Sequence, residues 1–285
     1  MTDAFVMRID GDGARPGVAD AARRLVTMLA GQVAVRDVDL TGAADLSRAR
    51  ADLLVVLGGD GAILSAARRL LDNAIPVLGI NFGKLGFLAG IRASEMETSA
   101  RSVIVEQHYH VSRRMQLEAA LRRDGAVLRT IRGLNDAVVE RWDPRSLSVD
   151  FVVDGEIATT YRGDGVIVAT PTGSTAHSLA AGGPIVEPEM EAFVVSPMCA
   201  HSVSNRPLVL GAGQVIRLRV GGGSKRPGLA VDGQIIEDLR EGDEIEVRRS
   251  AQAFHLALPT DHTFFSVLRS RMHWAGQPPY EGEGS

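Results

Sequence analysis

The sequence predicts an α/β N-terminal domain built on an open parallel sheet, followed by a mainly-β, sandwich-like C-terminal domain. Three observations carry that prediction. Apolar runs alternate with helix-periodic segments as far as Glu106, the pattern of parallel strands joined by crossover helices. From Tyr109 onward, short β-like runs succeed one another with turn signals between them, the pattern of a sandwich. Asp124-Gly125 and Asp154-Gly155 supply two-residue hairpin turns inside that second part.

Ala4 to Ile9 reads as the first strand, and Asp10-Gly11-Asp12-Gly13 as the turn after it. Pro16 to Leu29 has helical spacing, with Ala22, Leu25, Val26 and Leu29 on one face. Val33 to Val38 is a second strand. Asp52 to Leu57 is a third, and its unbroken apolar run Leu53 to Leu57 marks a strand covered on both faces. It ends in Gly58-Gly59-Asp60-Gly61, after which Ala62 to Leu71 reads as a helix. Ile75 to Ile80 is a fourth strand, entered through Pro76. Such a Rossmann-like sheet binds ligands outside the carboxyl ends of its strands. The turn after Leu57 and the glycine-containing segment Asn81 to Leu88 both fall at that edge. Lys84 lies in the second of these, without the glycine pattern of a phosphate-binding Walker loop before it. Arg92 to Glu106 reads as a helix.

Strands are then expected over Tyr109 to Arg114, Gln116 to Arg122, Val127 to Arg132, Ala137 to Arg141 and Leu147 to Val153. Further strands are expected over Gly165 to Ala169, Ala192 to Val195, Val215 to Val220, Leu229 to Val231 and Glu244 to Arg248. The change of texture near Gln107-His108 divides the chain into 1–107, 108–250 and a C-terminal segment 251–285, whose tail Gly276 to Ser285 is polar and disorder-prone.

With 285 residues, 45% hydrophobic and 23% charged, the chain has the composition of a soluble globular protein. A net charge of -4 argues against nucleic acid as a partner. No apolar run approaches the ~18–20 residues that cross a bilayer, and Met1 to Phe5 carries no signal pattern. The expectation is a cytoplasmic protein with no membrane partner. Cys199, the only cysteine, excludes an internal disulfide and a cysteine-based metal site.

Two stretches carry chemistry. In the first, Gly58, Gly59 and Gly61 leave backbone N–H groups open to phosphate, and the next helix aims its positive end at the same place. Asp60 in their midst is out of place beside an anion unless it handles a proton or a metal. In the second, Arg162-Gly163-Asp164-Gly165 leads into an apolar run and then into Thr170 to Pro184. There Thr170, Thr172, Ser174, Thr175 and Ser178 exceed the single hydroxyl a helix cap requires. That excess predicts a ligand pocket. Arg162, two residues before Asp164, would share its strand face and meet phosphate.

Taken together these residues resemble the NAD kinase family. The resemblance rests on Gly58 to Gly61, on Leu134-Asn135-Asp136-Ala137-Val138-Val139, and on the long signature from Thr170 through Pro184. It continues through Pro197 to Leu210, Asp232-Gly233-Gln234, and Phe264-Phe265 to Trp274. The four-residue glycine motif alone is shared with diacylglycerol-kinase-like and phosphofructokinase-like enzymes; the threonine-rich signature is the specific part. The resemblance implies the two-domain fold above, with the chain end returning to the first domain. It implies transfer of the terminal phosphoryl group of ATP, or of polyphosphate, to the 2′-hydroxyl of the adenosine ribose of NAD, giving NADP. Mg²⁺ or another divalent cation, and a homodimer or homotetramer, are implied as well. Carried over residue by residue, Asp60 is the catalytic base and Gly58, Gly59 and Gly61 meet phosphate. The nucleotide falls to Gly61, Asn135, Asp136, Arg162, Asp164, Thr175, Ala176, His177, Ser178, Ala180, Asp232 and Gln234, the last two reaching the site of a neighbouring subunit. No metal ligand is assigned. His177 departs from the tyrosine usual at its position. The competing readings are a diacylglycerol-kinase-like lipid kinase, whose second Gly-Thr-Gly-Asn-Asp motif is absent, and a non-catalytic NAD(P) sensor, against which Asp60 argues.

Overall fold

The computed structural model describes residues 5–83, 86–233 and 235–272. The N-terminal part consists of β1 (Val6–Gly11), α1 (Val18–Leu29), β2 (Ala34–Asp39), β3 (Leu53–Gly58), α2 (Asp60–Leu70), β4 (Val77–Asn81), the short β5 (Ile91–Arg92) and α3 (Met96–Ala100). β1 pairs in parallel with both β2 and β3, and β3 pairs in parallel with β4. The apolar run in β3 is continuous because its alternate residues serve two layers. Leu53, Val55 and Leu57 pack with Leu25 and Leu29 of α1, whereas Leu54 and Val56 pack with Ile63 and Leu64 of α2. The helix expected from Arg92 to Glu106 is broken into a 3₁₀ turn at Ala93–Glu95, α3, and a π turn at Arg101–Val105.

The second part is β6 (Tyr109–Arg123), β7 (Ala126–Gly133), β8 (Asp136–Arg141), β9 (Leu147–Val153), β10 (Glu156–Gly163) and β11 (Gly165–Ala169). A 3₁₀ turn (Thr172–Thr175), α4 (His177–Ala180), β12 (Ala192–Met198), β13 (Leu208–Gly211) and β14 (Ile216–Val220) follow. β15 (Pro227–Val231), β16 (Ile235–Asp238), β17 (Glu244–Pro259) and α5 (Phe264–Met272) complete it. The two Asp-Gly signals are hairpin turns, with φ of 50° and 81° at Asp124 and Gly125, and 50° and 90° at Asp154 and Gly155. The two runs read from Tyr109 to Arg122 are one strand; β10, β13 and β16 are strands without a sequence signal of their own.

A six-stranded antiparallel sheet, in the order β13-β12-β11-β8-β15-β16, faces the antiparallel part of an eleven-stranded sheet. Phe151, Phe193, Val166, Leu218, Leu229 and Ile245 fill the layer between them. The eleven-stranded sheet runs on into the N-terminal part through β17. That strand pairs antiparallel with β14 at its start and parallel with β4 at Leu256↔Val77, and lies against β6 along its length. The expected strand to Arg248 therefore continues to Pro259, and it carries the chain from one half of the molecule to the other.

Candidate active site

α2 begins at Asp60 rather than Ala62, with Gly59 as its extended N-cap residue. Asp60 is thus in the first helical turn, where the helix dipole favours a carboxylate. Its side chain turns away from the glycines, towards the loop after β4. The Phe87 N–H donates to Oδ2 at 2.8 Å and the Leu88 N–H to Oδ1 at 3.3 Å. Gly86 lies against the carboxyl, and a Cβ there would overlap it. Arg271 of α5 holds this loop from outside by donating through Nη2 to the Gly86 carbonyl at 3.0 Å, with its guanidinium 6.0 Å from the Phe87 ring centroid. Burial raises the Asp60 pKa above the ordinary carboxylate value, and the loop N–H groups and Arg271 offset part of that rise.

Gly58, Gly59 and Gly61 line a cavity of about 380 Å³ at the carboxyl edge of the parallel sheet, together with Asp12, Arg15 and Thr41. Asp10 beneath it is buried and held by Arg69, whose Nη1 and Nη2 donate to its two oxygens at 2.9 and 2.5 Å.

Across the cleft, sheet register brings the second-domain residues together. β8 and β11 pair with Asp136 opposite Ala169, so the loop before β8 and the Thr170 turn emerge side by side. The Thr170 hydroxyl donates to the Leu134 carbonyl at 2.6 Å, and the backbone of Gly173 lies so close to Asn135 that a Cβ would overlap its carbonyl. Asp232, at φ 53° in the β15–β16 turn, closes the knot. Its carboxylate accepts from the N–H groups of Leu134, Asn135 and Asp136 at 3.0, 2.7 and 3.3 Å. Asp136 is buried and its pKa is pushed up to about 7, by burial first and then by Asp232 and Glu140. Asp232 is raised too, by burial.

Between the halves lies a small cavity of about 30 Å³. Phe87 and Leu88 form its wall on the Asp60 side, Thr172 and Thr175 the opposite wall, and Arg114, His262 and Phe264 complete it. Among the described residues, the buried Thr172 Oγ1, Arg114 Nε and His262 Nδ1 have no hydrogen-bond partner. Burial draws Arg114 down to about 10.

The hydroxyl-rich stretch is used differently from the expectation. Thr170, Ser174 and Ser178 are fully buried and spent inside the fold. Ser174 Oγ donates to the Pro171 carbonyl at 2.6 Å and accepts from the Val186 N–H at 3.0 Å. Ser178 Oγ lies 3.0 Å from Ser196 Oγ, so it holds α4 to β12 and does not face the cleft. Thr175 is half-buried, and Ala176, His177 and Ala180 are exposed.

Arg162 and Asp164 do not share a strand face, which corrects the reading above. β10 belongs to the large sheet and β11 to the six-stranded one, and the chain crosses between them at Asp164. Asp164 accepts from Arg141 Nε at 2.7 Å, which holds its pKa below the ordinary value. β11, five residues long, separates it from Thr170, a distance of about 20 Å along the strand at ~3.3 Å per residue. Within one chain, neither residue joins the cleft. Gln234, Lys84 and Trp274 lie outside the described residues, as does the Gly276 to Ser285 tail. Arg15, Phe87, His262 and Arg271 were not among the expected site residues, whereas Thr172 belonged to the hydroxyl-rich stretch expected to form a pocket. Two of the four had a usable signal: Arg15 follows the β1 turn at the sheet edge, and Phe87 lies in the glycine-containing segment read at the same edge.

A glycine turn and a half-buried carboxylate at a parallel-sheet edge, facing a second domain across a cleft, make up the layout of a small-molecule phosphotransferase. Models of the ATP-NAD kinase N-terminal and C-terminal domains match residues 15–109 and 134–258. The NAD kinase of Heliobacterium modesticaldum is 38% identical over 90% of this chain and 95% of its own length. That of Koribacter versatilis is 42% identical over 78% of each. Yeast NADH kinase complexed with NADH superposes with a TM-score of 0.86 at 26% identity, over 99% of this chain and 91% of its own. An Archaeoglobus fulgidus NAD kinase in complex with ATP shares the fold, with a TM-score of 0.75 at 24% identity over 93% of this chain and 99% of its own. The chain belongs to the NAD kinase family.

Proposed function

We propose that this chain is an NAD kinase that transfers the terminal phosphoryl group of ATP to the 2′-hydroxyl of the adenosine ribose of NAD. One observation carries the reading: Asp60 stands between two cavities. Its neighbours Gly59 and Gly61 line the glycine cavity, and the loop that holds its carboxylate, at Phe87 and Leu88, lines the interdomain one. A donor phosphate in the first and an acceptor hydroxyl at the second meet at this residue.

In this mechanism Asp60 accepts the ribose proton as the hydroxyl oxygen attacks the terminal phosphorus, and the bond to the bridging oxygen breaks to release ADP. A carboxylate accepts at about four lone-pair sites, so two backbone donors leave room for a hydroxyl. Its raised pKa makes it a stronger base than an ordinary carboxylate. Asn135, Asp136, Thr175, Ala176, His177 and Ala180 form the nucleotide-binding rim, and Asp232 sets the backbone of the first two. Arg162 and Asp164 meet nucleotide only if a second copy brings them to the cleft. Their distance from Thr170 is the support for a homodimer or homotetramer, which light scattering checks directly.

Among the described residues, no three His, Cys, Asp or Glu side chains converge to hold a metal. Mg²⁺ does not require that, since it commonly uses one or two carboxylates together with substrate phosphates. Asp12 fits this role: it lines the glycine cavity, and among the described residues its carboxylate accepts only from the Ala14 N–H, to Oδ1 at 3.1 Å. Asp12 would hold such an ion there, where it would supply charge neutralisation for the donor phosphates.

The test is incubation of purified protein with NAD and Mg²⁺ plus either ATP or polyphosphate, reading NADP formed. No NADP from either donor overturns the proposal.

A further inference from the structure

We infer that Arg15 binds the phosphate chain of the donor, with Asn81 as the residue that positions it. This rests on the kinase reading above and extends it to residues that the glycine motif does not include. Arg15 follows the β1 turn and lies over the glycine turn. A Cβ on Gly59 would stand 3.0 Å from its Nη1, and one on Gly83 would run into its Nη2. Among the described residues the Arg15 guanidinium forms no ion pair, although both Nη atoms of the neighbouring cavity arginine Arg69 are taken by Asp10. A guanidinium laid along glycine backbone without an acidic partner is a fork presented to an anion. Lining the same cavity are Gly58, Gly59 and Gly61, at the positive end of α2.

Asn81 supplies an independent observation. It is 4% exposed. Its Nδ2 donates to the Gly83 carbonyl at 3.0 Å, which fixes the amide orientation, and among the described residues its Oδ1 has no partner. That oxygen faces the same point over Gly59, 3.7 Å from where a Cβ would be. A buried acceptor left open is costly unless a donor arrives. An anion cannot fill it, but an Arg15 N–H drawn inward by phosphate can. The pair then reads as a latch: phosphate engages one edge of the guanidinium and Asn81 the other. Because neither residue has a base edge to read, the ligand class is a polyphosphate chain, with the nucleoside secondary.

The experiment is calorimetric titration of the full-length protein with Mg·ATP and, separately, with inorganic tripolyphosphate, alongside steady-state kinetics. Arg15→Ala should weaken both ligands at least tenfold and raise the KM for ATP in parallel, with the KM for NAD within twofold and the melting temperature unchanged. Arg15→Lys should fall between, since it keeps the charge and loses the fork. Asn81→Ala should weaken ATP in the presence of Arg15 and add little to Arg15→Ala. Binding within twofold of wild type for Arg15→Ala, or tripolyphosphate failing to bind wild-type protein, overturns the assignment of Arg15. Additive effects of the two substitutions overturn the role of Asn81. Should wild-type protein bind ATP through Arg15 yet form no NADP, the kinase reading fails and the Arg15 assignment stands.

Discussion

At the scale of single residues, the cleft holds two carboxyl groups in contrasting environments. Asp60 is desolvated but receives backbone N–H donors, so it is a base that is both available and oriented. Asp60→Asn should keep the fold, because the amide oxygen still accepts from Phe87 or Leu88. It should lower kcat by about 10²–10⁴-fold, the usual worth of a general base; single-turnover NADP formation measures this. Asp136 has no such relief. Folded, it keeps its proton to about pH 7, whereas the ordinary value is 3.8. Between those values the folded state binds the extra proton, so stability falls as pH rises through that window. Asp136→Asn removes this loss. Unfolding free energies from urea titrations at pH 5 and pH 8 should differ more for wild type than for the variant, by about 1–3 kcal/mol. Equal differences would mean that Asp136 ionises normally.

At the scale of elements, the site depends on backbone segments held at close range. The Gly86 loop exists in its present place because a missing Cβ leaves room for the Asp60 carboxyl. Gly86→Ala should push the two apart, and we expect loss of most activity with about 1–3 kcal/mol of destabilisation, read by kcat and thermal melting together. Asp232→Ala strands the N–H groups of Leu134, Asn135 and Asp136. The expected cost is at least about 3 kcal/mol for three donors at ~1–3 kcal/mol each, with a raised KM for NAD as the Asn135 loop loosens. These elements were legible in part. The strand β3, the glycine turn and both Asp-Gly hairpins follow from local chemistry, because an apolar run or a residue pair that tolerates positive φ needs no distant partner. The break of the Arg92 to Glu106 helix and the edge strands β13 and β16 were not legible, because they depend on what each segment packs against.

At the scale of the whole molecule, β17 decides the architecture. Ile245 and Val247 belong to the sandwich core, while Phe254, Leu256 and Leu258 belong to the core beneath α2. One strand thus ties two hydrophobic cores into one sheet. Calorimetry should show a single cooperative transition, with the calorimetric and van't Hoff enthalpies equal. Leu256→Ala, at a fully buried position, should lower the whole transition by about 2–5 kcal/mol and leave no half melting separately. Two resolved transitions would show that the halves fold independently.

By itself the sequence determined the two fold classes, the glycine turn with its carboxylate, and the threonine-rich signature of the family. All are encoded in periodicity, turn residues and contiguous motifs. Only the tertiary structure decided which side chains remain available. It turned Ser174 and Ser178 inward, set Asp232 to hold backbone, and put Arg162 and Asp164 at the far end of β11. It also brought Arg15 over Gly59 and carried β17 from one core to the other. The physical reason is the same throughout: a residue type states what bonds a side chain can make, but the partner that takes them is supplied by elements distant in sequence.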